Sequence, residues 1–518
     1  MMMTTAGAID PRIPWPPEEA RERLEQYEMY RGLYEGDHRE VFVDSKRFHF
    51  QADADKPYLF CNLLGALTDL LTGRLLGEEV GVGTGEGQEG SEEFIKHLRA
   101  QSEAAMLDLE AAKTASICGD SWLKVRYDAG LREILYDSVD PACVFPEFDP
   151  LNRRLMVAAD IGQVLCHGED KYLWIERHEA GRITNRLWRL HDEHSRGLLY
   201  DPMKDEVDLK TLDATAALQP EQPTGVDAML LVHVPNELSV DDPFWGASDY
   251  EDLAELNGGV NAALTDRREV IRKHVAPVMT GPPIGEDALT GGKVDLKKVK
   301  YIEQDNQMGA AVSPSYLVWD ANLEAVVAEL DDLKRNFAIA AGIELAALVP
   351  QDGGGPESGR ALRLSQMRTQ GTVRLKQRPF GGGLRQVYSL CTRLATATGV
   401  SIVLDFKPTN GQIVPCKPTD ITIDFGDGLP SDSWGDTEEQ VALVDARLQS
   451  RVDAIKTLFD LTDDEARAKL ADIEADNPAQ TSPVSYPSRL GGQSSFAAAL
   501  GIGATAIQQP QEQQAAGV

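Results

Sequence analysis

The sequence predicts an α+β protein in which helical segments flank a mostly antiparallel β region, and three observations carry that reading. Apolar residues make up 42% and charged residues 26% of the 518, an ordinary globular composition with enough apolar side chain for a sizeable core. The apolar period changes from helical to alternating near Ser121 and back to helical near Ser248. Two long amphipathic helices then bracket a short segment with turn and strand signals, making a hairpin with a head. The length corresponds to about three structural units at roughly 100–200 residues each.

Residues 17–36 (PEEARERLEQYEMYRGLYEG) alternate charge at helical spacing up to Gly36, which predicts an exposed amphipathic helix. A second helix is expected over 57–76, with Leu63, Leu64, Leu67, Leu70 and Leu71 on one face. The Gly- and Glu-rich segment 78–91 reads as a loop before a helix over 91–117. Residues 121–127 (SWLKVRY) and 131–136 alternate apolar with polar around Asp128, Ala129 and Gly130, the pattern of a β-hairpin. Strand-like runs continue at 143–148, 155–165, 171–178, 182–190 and 228–234.

From Ser248 to Val275 the pattern is helical. Ser248 followed by Asp249 and Glu251 places a hydroxyl cap and acids at the positive end of the dipole. Leu253, Leu256, Val260, Leu264, Ile271 and Val275 form its apolar stripe, and Pro277, Pro282 and Pro283 end it. The segment 277–318 holds strand candidates at 299–303 and 315–319. The second long helix covers 320–341, with Leu323, Val326, Val327, Leu330, Leu333 and Phe337 on one face. Each is roughly 33–42 Å long at about 1.5 Å per residue. A Gly/Pro-rich loop at 349–358 precedes a long helix over 358–398, expected to be interrupted at Pro379 and at Gly381, Gly382 and Gly383. Strands at 400–406 and 419–425, acidic helices over 434–475, and a Gln-, Ser- and Ala-rich tail expected to be disordered complete the chain.

Charge narrows the function. With 51 Lys+Arg against 83 Asp+Glu, the chain carries −32, which argues against a surface gripping nucleic acid along its length. It is compatible with one past which DNA slides without sticking. The apolar stretch 59–77 is broken by Asp69 and Arg74, and nothing approaches the ~20 uncharged residues of a membrane span. Residues 1–16 lack the basic start and apolar run of a leader, so a cytoplasmic chain is expected. The six cysteines, at 61, 118, 143, 166, 391 and 416, show no metal-knuckle or redox spacing and read as reduced thiols.

No catalytic or cofactor motif stands up. The GxGxxG match at 85–90 carries two glutamates that would repel a pyrophosphate, and it is expected to follow a helix rather than a strand. Gly291, Gly292 and Lys293 lack the rest of a Walker loop. His178, His191 and His194 have no clustered Cys or HExxH context for zinc. No G-x-S-x-G elbow occurs, and Asp463 and Asp464 read as a helix start. The expectation is a non-catalytic chain with no cofactor and no metal.

One charge anomaly carries information. Between 358 and 399 stand eight basic residues, Arg360, Arg363, Arg368, Arg374, Lys376, Arg378, Arg385 and Arg393, and no acidic one. Two readings are open. The helix pairs with acidic helices of its own or a neighbouring subunit, or part of it faces a passing phosphate backbone.

The order of elements resembles the portal proteins of tailed bacteriophages over roughly 17–475. The pieces that carry the resemblance are GDSWLKV at 119–125 after a helix, VDP at 139–141, VPN at 234–236, GASD at 246–249 opening the first long helix, and SGRAL at 358–362 after the glycine loop. The family implies a ring of about twelve subunits at one capsid vertex. The terminase motor packages double-stranded DNA through it, without reading its sequence, and the DNA is later ejected by the same route. Implied partners are the large terminase, a head-completion or tail adaptor, the major capsid protein and a scaffolding protein, with no membrane. The implied location is the virion, after assembly in the host cytoplasm.

Carried onto this sequence, 1–16 is an N-terminal arm, 17–247 the α+β wing, 248–276 and 319–342 the stem helices, and 277–318 the clip. Residues 343–357 hold the tunnel loop, 358–432 a kinked wing helix with returning strands, and 433–476 the crown. The 78–91 loop and 477–518 tail match nothing in the family pattern. The candidate DNA-facing loop residues are Val349, Gln351, Asp352, Gly353, Gly354, Gly355 and Glu357, a polar segment able to follow DNA without reading bases. Arg360, Arg363, Arg368, Arg374, Lys376 and Arg378 are candidates for the channel or the subunit interface. Lys293, Lys297, Lys298 and Lys300 form a cationic clip patch for an acidic partner. The alternatives are another head-vertex adaptor or scaffold-associated structural protein, or a nucleic-acid-processing enzyme.

Overall fold

The computed structural model describes residues 15–45, 48, 58–190, 205–239, 242–275, 278–281, 301–303, 315–317, 323–348, 366–397, 399–401, 403–426, 433–459, 461 and 463–476. The chain divides into two compact units, 1–430 and 431–518.

In the first unit, α1 (Glu18–Glu35) buries Tyr27, Tyr30 and Leu33 at helical spacing and stops at Gly36. α2 (Leu63–Leu75) is buried along most of its length, through Leu63, Leu64, Leu67, Leu71 and Leu75. It starts later than position 57 because the Asn62 side chain accepts from the Gly65 amide at 2.8 Å and fixes the N-terminus there.

The expected single helix over 91–117 is two helices, α3 (Glu89–Gln101) and α4 (Ala104–Cys118). Glu103 between them is left-handed, with φ 49°. The break lets each helix aim its own apolar face at the core, Phe94, Ile95 and Leu98 from α3 and Ala111, Ala112 and Ala115 from α4. It also folds Arg99 back onto Asp108 of α4, at 3.2 Å.

The β region is antiparallel, as the alternation predicts. β2 (Asp120–Asp128) and β3 (Glu133–Val139) form the hairpin, with Val125 opposite Tyr136, and β10 (Leu231–Pro235) pairs on the other edge of β2. A larger sheet runs β4 (Val144–Asp149), β5 (Asn152–His167), β6 (Asp170–Glu179), β7 (Arg182–Leu190) and β8 (Asp205–Val207), and β9 (Glu221–Pro223) also pairs with β7. The segment 78–91 is not wholly loop. β1 (Gly81–Gly83) pairs with β14 (Thr422–Asp424), a partnership that depends on the tertiary fold and not on the weak β-propensity of Gly-Val-Gly.

The helical hairpin consists of α5 (Ala254–Val275) and α6 (Leu323–Ala340), which pack against each other. Val260, Leu330 and Phe337 belong to the main core, and Leu256, Leu264 and Leu333 pack against it. α5 begins at Ala254 rather than Ser248, because residues 249–253 form turns. Between the helices lie β11 (Val278–Gly281), β12 (Tyr301–Glu303) and β13 (Ser315–Leu317), a three-stranded sheet with β11 in the centre, parallel to β12 and antiparallel to β13. The sequence signals had pointed to the second and third of these strands and missed the first.

After a short helix α7 (Leu345–Leu348), α8 (Met367–Thr396) runs through Pro379 and the three glycines without interruption. Two of the glycines are contact residues. A Cβ on Gly383 would lie 2.5 Å from Val234 Cγ2, and one on Gly381 would lie 3.0 Å from the Phe425 ring. The helix therefore lies directly on β10, and this packing supports its continuation past the missing proline N–H. The expected strand at 400–406 is also corrected. Amides of Val403 and Leu404 bond to the Val400 carbonyl in a tight turn, which lets Leu404 bury and Phe406 stack on His97 at 4.3 Å.

The second unit contributes α9 (Ser433–Asp445), α10 (Arg451–Phe459) and α11 (Asp463–Asp476). Among the described residues no helix is long and apolar enough to cross a membrane.

Candidate functional site

Three of the sequence pieces quoted above meet at one place, the base of the helical hairpin. Gly119 (φ 89°) and Gly246 cross backbone to backbone, and a Cβ on Gly246 would lie 2.1 Å from the Gly119 carbonyl oxygen, so only glycine fits. The Asn236 amide donates to that same carbonyl at 2.8 Å. Asp120, which is buried, accepts from the Gly246 amide at 2.8 Å, from His233 Nε2 at 2.7 Å and from the Tyr27 hydroxyl at 2.8 Å. Burial first, and then the Asp120 charge, push the Tyr27 phenol well above its ordinary value.

One step further along the chain, Ser248 donates its hydroxyl to the Ile117 carbonyl at 2.6 Å and accepts from the Tyr250 amide at 3.0 Å. Asp249 accepts from Ser116 Oγ at 2.6 Å and from Asn236 Nδ2 at 2.8 Å. Its remaining partner is Lys376 from α8, whose Nζ donates to Asp249 Oδ1 at 2.5 Å and to Asn236 Oδ1 at 2.8 Å. Lys376 is 4% exposed. Tyr250, fully buried, donates to or accepts from Thr68 at 2.9 Å and meets Tyr30 edge-on.

This cluster joins α4, β2, β10, the turns before α5, and α8 through side chains largely removed from solvent. A buried ammonium neutralises a buried carboxylate, and each also holds an amide, so moving any one element would strand a charge in a low-dielectric interior. Its chemistry is that of a clamp.

A second tie lies nearby. The Glu344 carboxylate accepts from the Arg368 amide at 2.8 Å and the Thr369 amide at 3.1 Å, at the start of α8. It therefore sits where the helix dipole favours an anion. Thr372 adds a bond to the Gly342 carbonyl at 2.7 Å, and the Arg368 guanidinium donates to the Ile339 carbonyl at 2.7 Å. The end of α6 and the start of α8 are thus pinned side by side, and the chain between them leaves and returns at one point.

The candidate basic residues separate. Lys376 is spent inside its own subunit, so it is not available to a phosphate backbone. Arg368 is tied to the hairpin, and Arg393 donates to the Asp227 carbonyl at 3.1 Å. Arg374 and Arg378 are exposed and have no partner among the described residues. Arg360, Arg363, the loop residues Val349, Gln351, Asp352, Gly353, Gly354, Gly355 and Glu357, and the lysines 293, 297, 298 and 300 lie outside the described residues. The roles of Ser116, Asn236 and Asp249 were not read from the sequence. The signal that could have found them was the unexplained lysine in a helix that otherwise carries arginines.

The GxGxxG segment follows a strand, β1, and not a helix as expected. Its Gly87 amide serves its own Glu89 at 3.2 Å, and the flanking Thr84 amide donates to Glu92 at 3.2 Å. His178 is bonded to Glu176 at 2.8 Å, while His191 and His194 lie outside the described residues.

No protein-family model matches the chain. No curated protein matches it either. Among solved structures it is similar to a chain from the neck of a native GTA particle computed with C12 symmetry, at 11% identity over 76% of this chain and 89% of that one, with a TM-score of 0.40. A chain from the neck of an empty GTA particle computed with C6 symmetry gives 12% identity, 76% and 90% coverage and a TM-score of 0.41. A chain from the virion of a native gene transfer agent particle gives 11% identity, 76% and 89% coverage and a TM-score of 0.38.

Proposed function

We propose that this chain is the subunit of a portal-type ring, a non-catalytic conduit at a capsid vertex through which double-stranded DNA passes during packaging and ejection. The observation that carries the reading is the hairpin of α5 and α6 with its three-stranded head, clamped at its base to the helix that follows the 349–365 segment. A tube needs elements that keep their angle to the subunit body while DNA moves, and a buried Lys–Asp clamp supplies that. The strongly acidic chain suits a duplex that must slide, since a basic wall would hold phosphate and stall it. In this reading the head docks the terminase and later the tail adaptor, and the 349–357 loop lines the constriction.

The test is native mass determination of the purified chain with two-dimensional averages from electron microscopy. Closed rings of about twelve copies with an open centre are expected. A chain that stays monomeric or dimeric at micromolar concentration would remove the reading. Deleting Gly353–Gly355 should leave ring assembly intact and impair DNA packaging or retention, and normal packaging would remove the loop from the mechanism.

A further inference from the structure

An open groove of about 890 Å³ lies between α1, the turn after it, and strands β4 and β5. Met29, Val41 and Val164 contribute an apolar floor, and Glu25, Glu28 and Glu35 an acidic rim. The rim is acidic because α1 sorts its charges. Arg23 gives its guanidinium to the Pro141 and Val144 carbonyls at 3.3 and 3.2 Å, and Arg31 pairs with Asp140 at 3.0 Å. The three glutamates are exposed, with no partner among the described residues.

On α8 the complementary pattern stands equally unpartnered. Arg374 and Arg378 lie one turn apart on the exposed face, with Leu375 between them at 54% exposure. A phosphate backbone would reward the arginines but not the burial of Leu375. A groove with an apolar floor and an acidic rim rewards both.

We propose that the Arg374–Leu375–Arg378 face of one subunit seats in the α1–β5 groove of the next copy, with Leu375 on the floor and the two arginines on Glu25 and Glu28. Stripe and groove are different surfaces of the same chain, so the contact is heterologous and repeats from subunit to subunit until it closes. The inference rests on the ring reading and assigns its subunit interface.

The experiment uses two charge reversals of the full chain, Arg374→Glu/Arg378→Glu and Glu25→Arg/Glu28→Arg, with assembly read by mass photometry beside the wild type. Each reversal alone should abolish rings at concentrations where the wild type forms them. Mixing the two variants should restore rings, because each then offers the other a complementary face. Wild-type rings with either reversal assembling normally, or with the mixture failing to assemble, would overturn the interface and leave the ring reading standing. A wild type that never assembles would overturn both. A stripe reversal that forms normal rings but no longer retains duplex DNA would hand the stripe to DNA and also overturn the interface. Thermal melts check folding. For a reversal that lowers Tm, the neutral variants Glu25→Gln/Glu28→Gln and Arg374→Gln/Arg378→Gln replace it, and ring dissociation must then lose its salt dependence. An unchanged dependence would refute the pairing.

Discussion

Replacing Lys376 by Met keeps most of the side chain's apolar stem and removes its ammonium, and with it the charge and the hydrogen-bond donors. In the folded subunit the ammonium is 4% exposed and serves two acceptors, Asp249 Oδ1 and Asn236 Oδ1. Without it the Asp249 carboxylate keeps Ser116 Oγ and Asn236 Nδ2 as donors but loses its only counter-charge at the clamp. Stranding one member of a buried pair costs about 3–5 kcal/mol, and the two surviving donors put this case near the lower end, about 3 kcal/mol. For a unit of this size the change in Tm should be roughly 3–6 °C by differential scanning calorimetry. The decisive variant is Lys376→Met/Asp249→Asn, which removes both charges and should recover at least about half of the loss as coupling energy. A Lys376→Met protein that melts within about 1 °C of the wild type, or single losses that merely add in the double variant, would refute the clamp.

Two further predictions probe the packing and the electrostatics. Gly383→Ala should destabilise by about 1–3 kcal/mol, because its methyl meets Val234, whereas Gly382→Ala one position away meets nothing within 4 Å and should stabilise by roughly 0.5–1 kcal/mol. Thermal melts of the two alanine variants should therefore move in opposite directions, and a matching sign would show that α8 does not depend on close approach to β10. Glu176 gives a pH signature: burial raises its carboxyl, but the bond from His178 and the charges of His178 and Lys124 outweigh this and hold it at about 2. Its folded value lies below the ordinary 4.5, so its contribution is complete above about pH 4.5 and fades as pH falls toward 2, a loss of about 3 kcal/mol. Glu176→Gln should flatten that part of the acid limb in melts between pH 5 and 2, and parallel limbs for the two proteins would refute the assignment.

The elements legible in the sequence were those whose signal is local. The α1 helix follows from charge alternation ending at Gly36, the β2–β3 hairpin from alternation around Asp128–Gly130, and the paired α5 and α6 from their apolar stripes. The elements that escaped depend on distant partners. Gly81–Gly83 becomes a strand because Thr422–Asp424 lies beside it, and the run from Val400 turns tightly because Leu404 and Phe406 are needed in the core. Pro379 and its three glycines look like a break in one dimension. In three dimensions Gly383 lets the helix rest on β10 and Gly381 lets the Phe425 ring approach. The clamp was half visible: its glycines and Asp249 stood in the motifs, but only folding brings Lys376 to them.

The hairpin is also a lever arm. Twenty-two residues in α5 at about 1.5 Å each make an arm of roughly 33 Å, and the three-stranded head rides at its tip. An angular error of about 5° at the pivot would carry the tip about 3 Å, a whole hydrogen-bond length. In the proposed ring, copies whose pivots wandered by that much would not present a common landing surface to a partner that touches all of them at once. The Lys376–Asp249 pair sits at the fulcrum, where the smallest restraint removes the largest displacement.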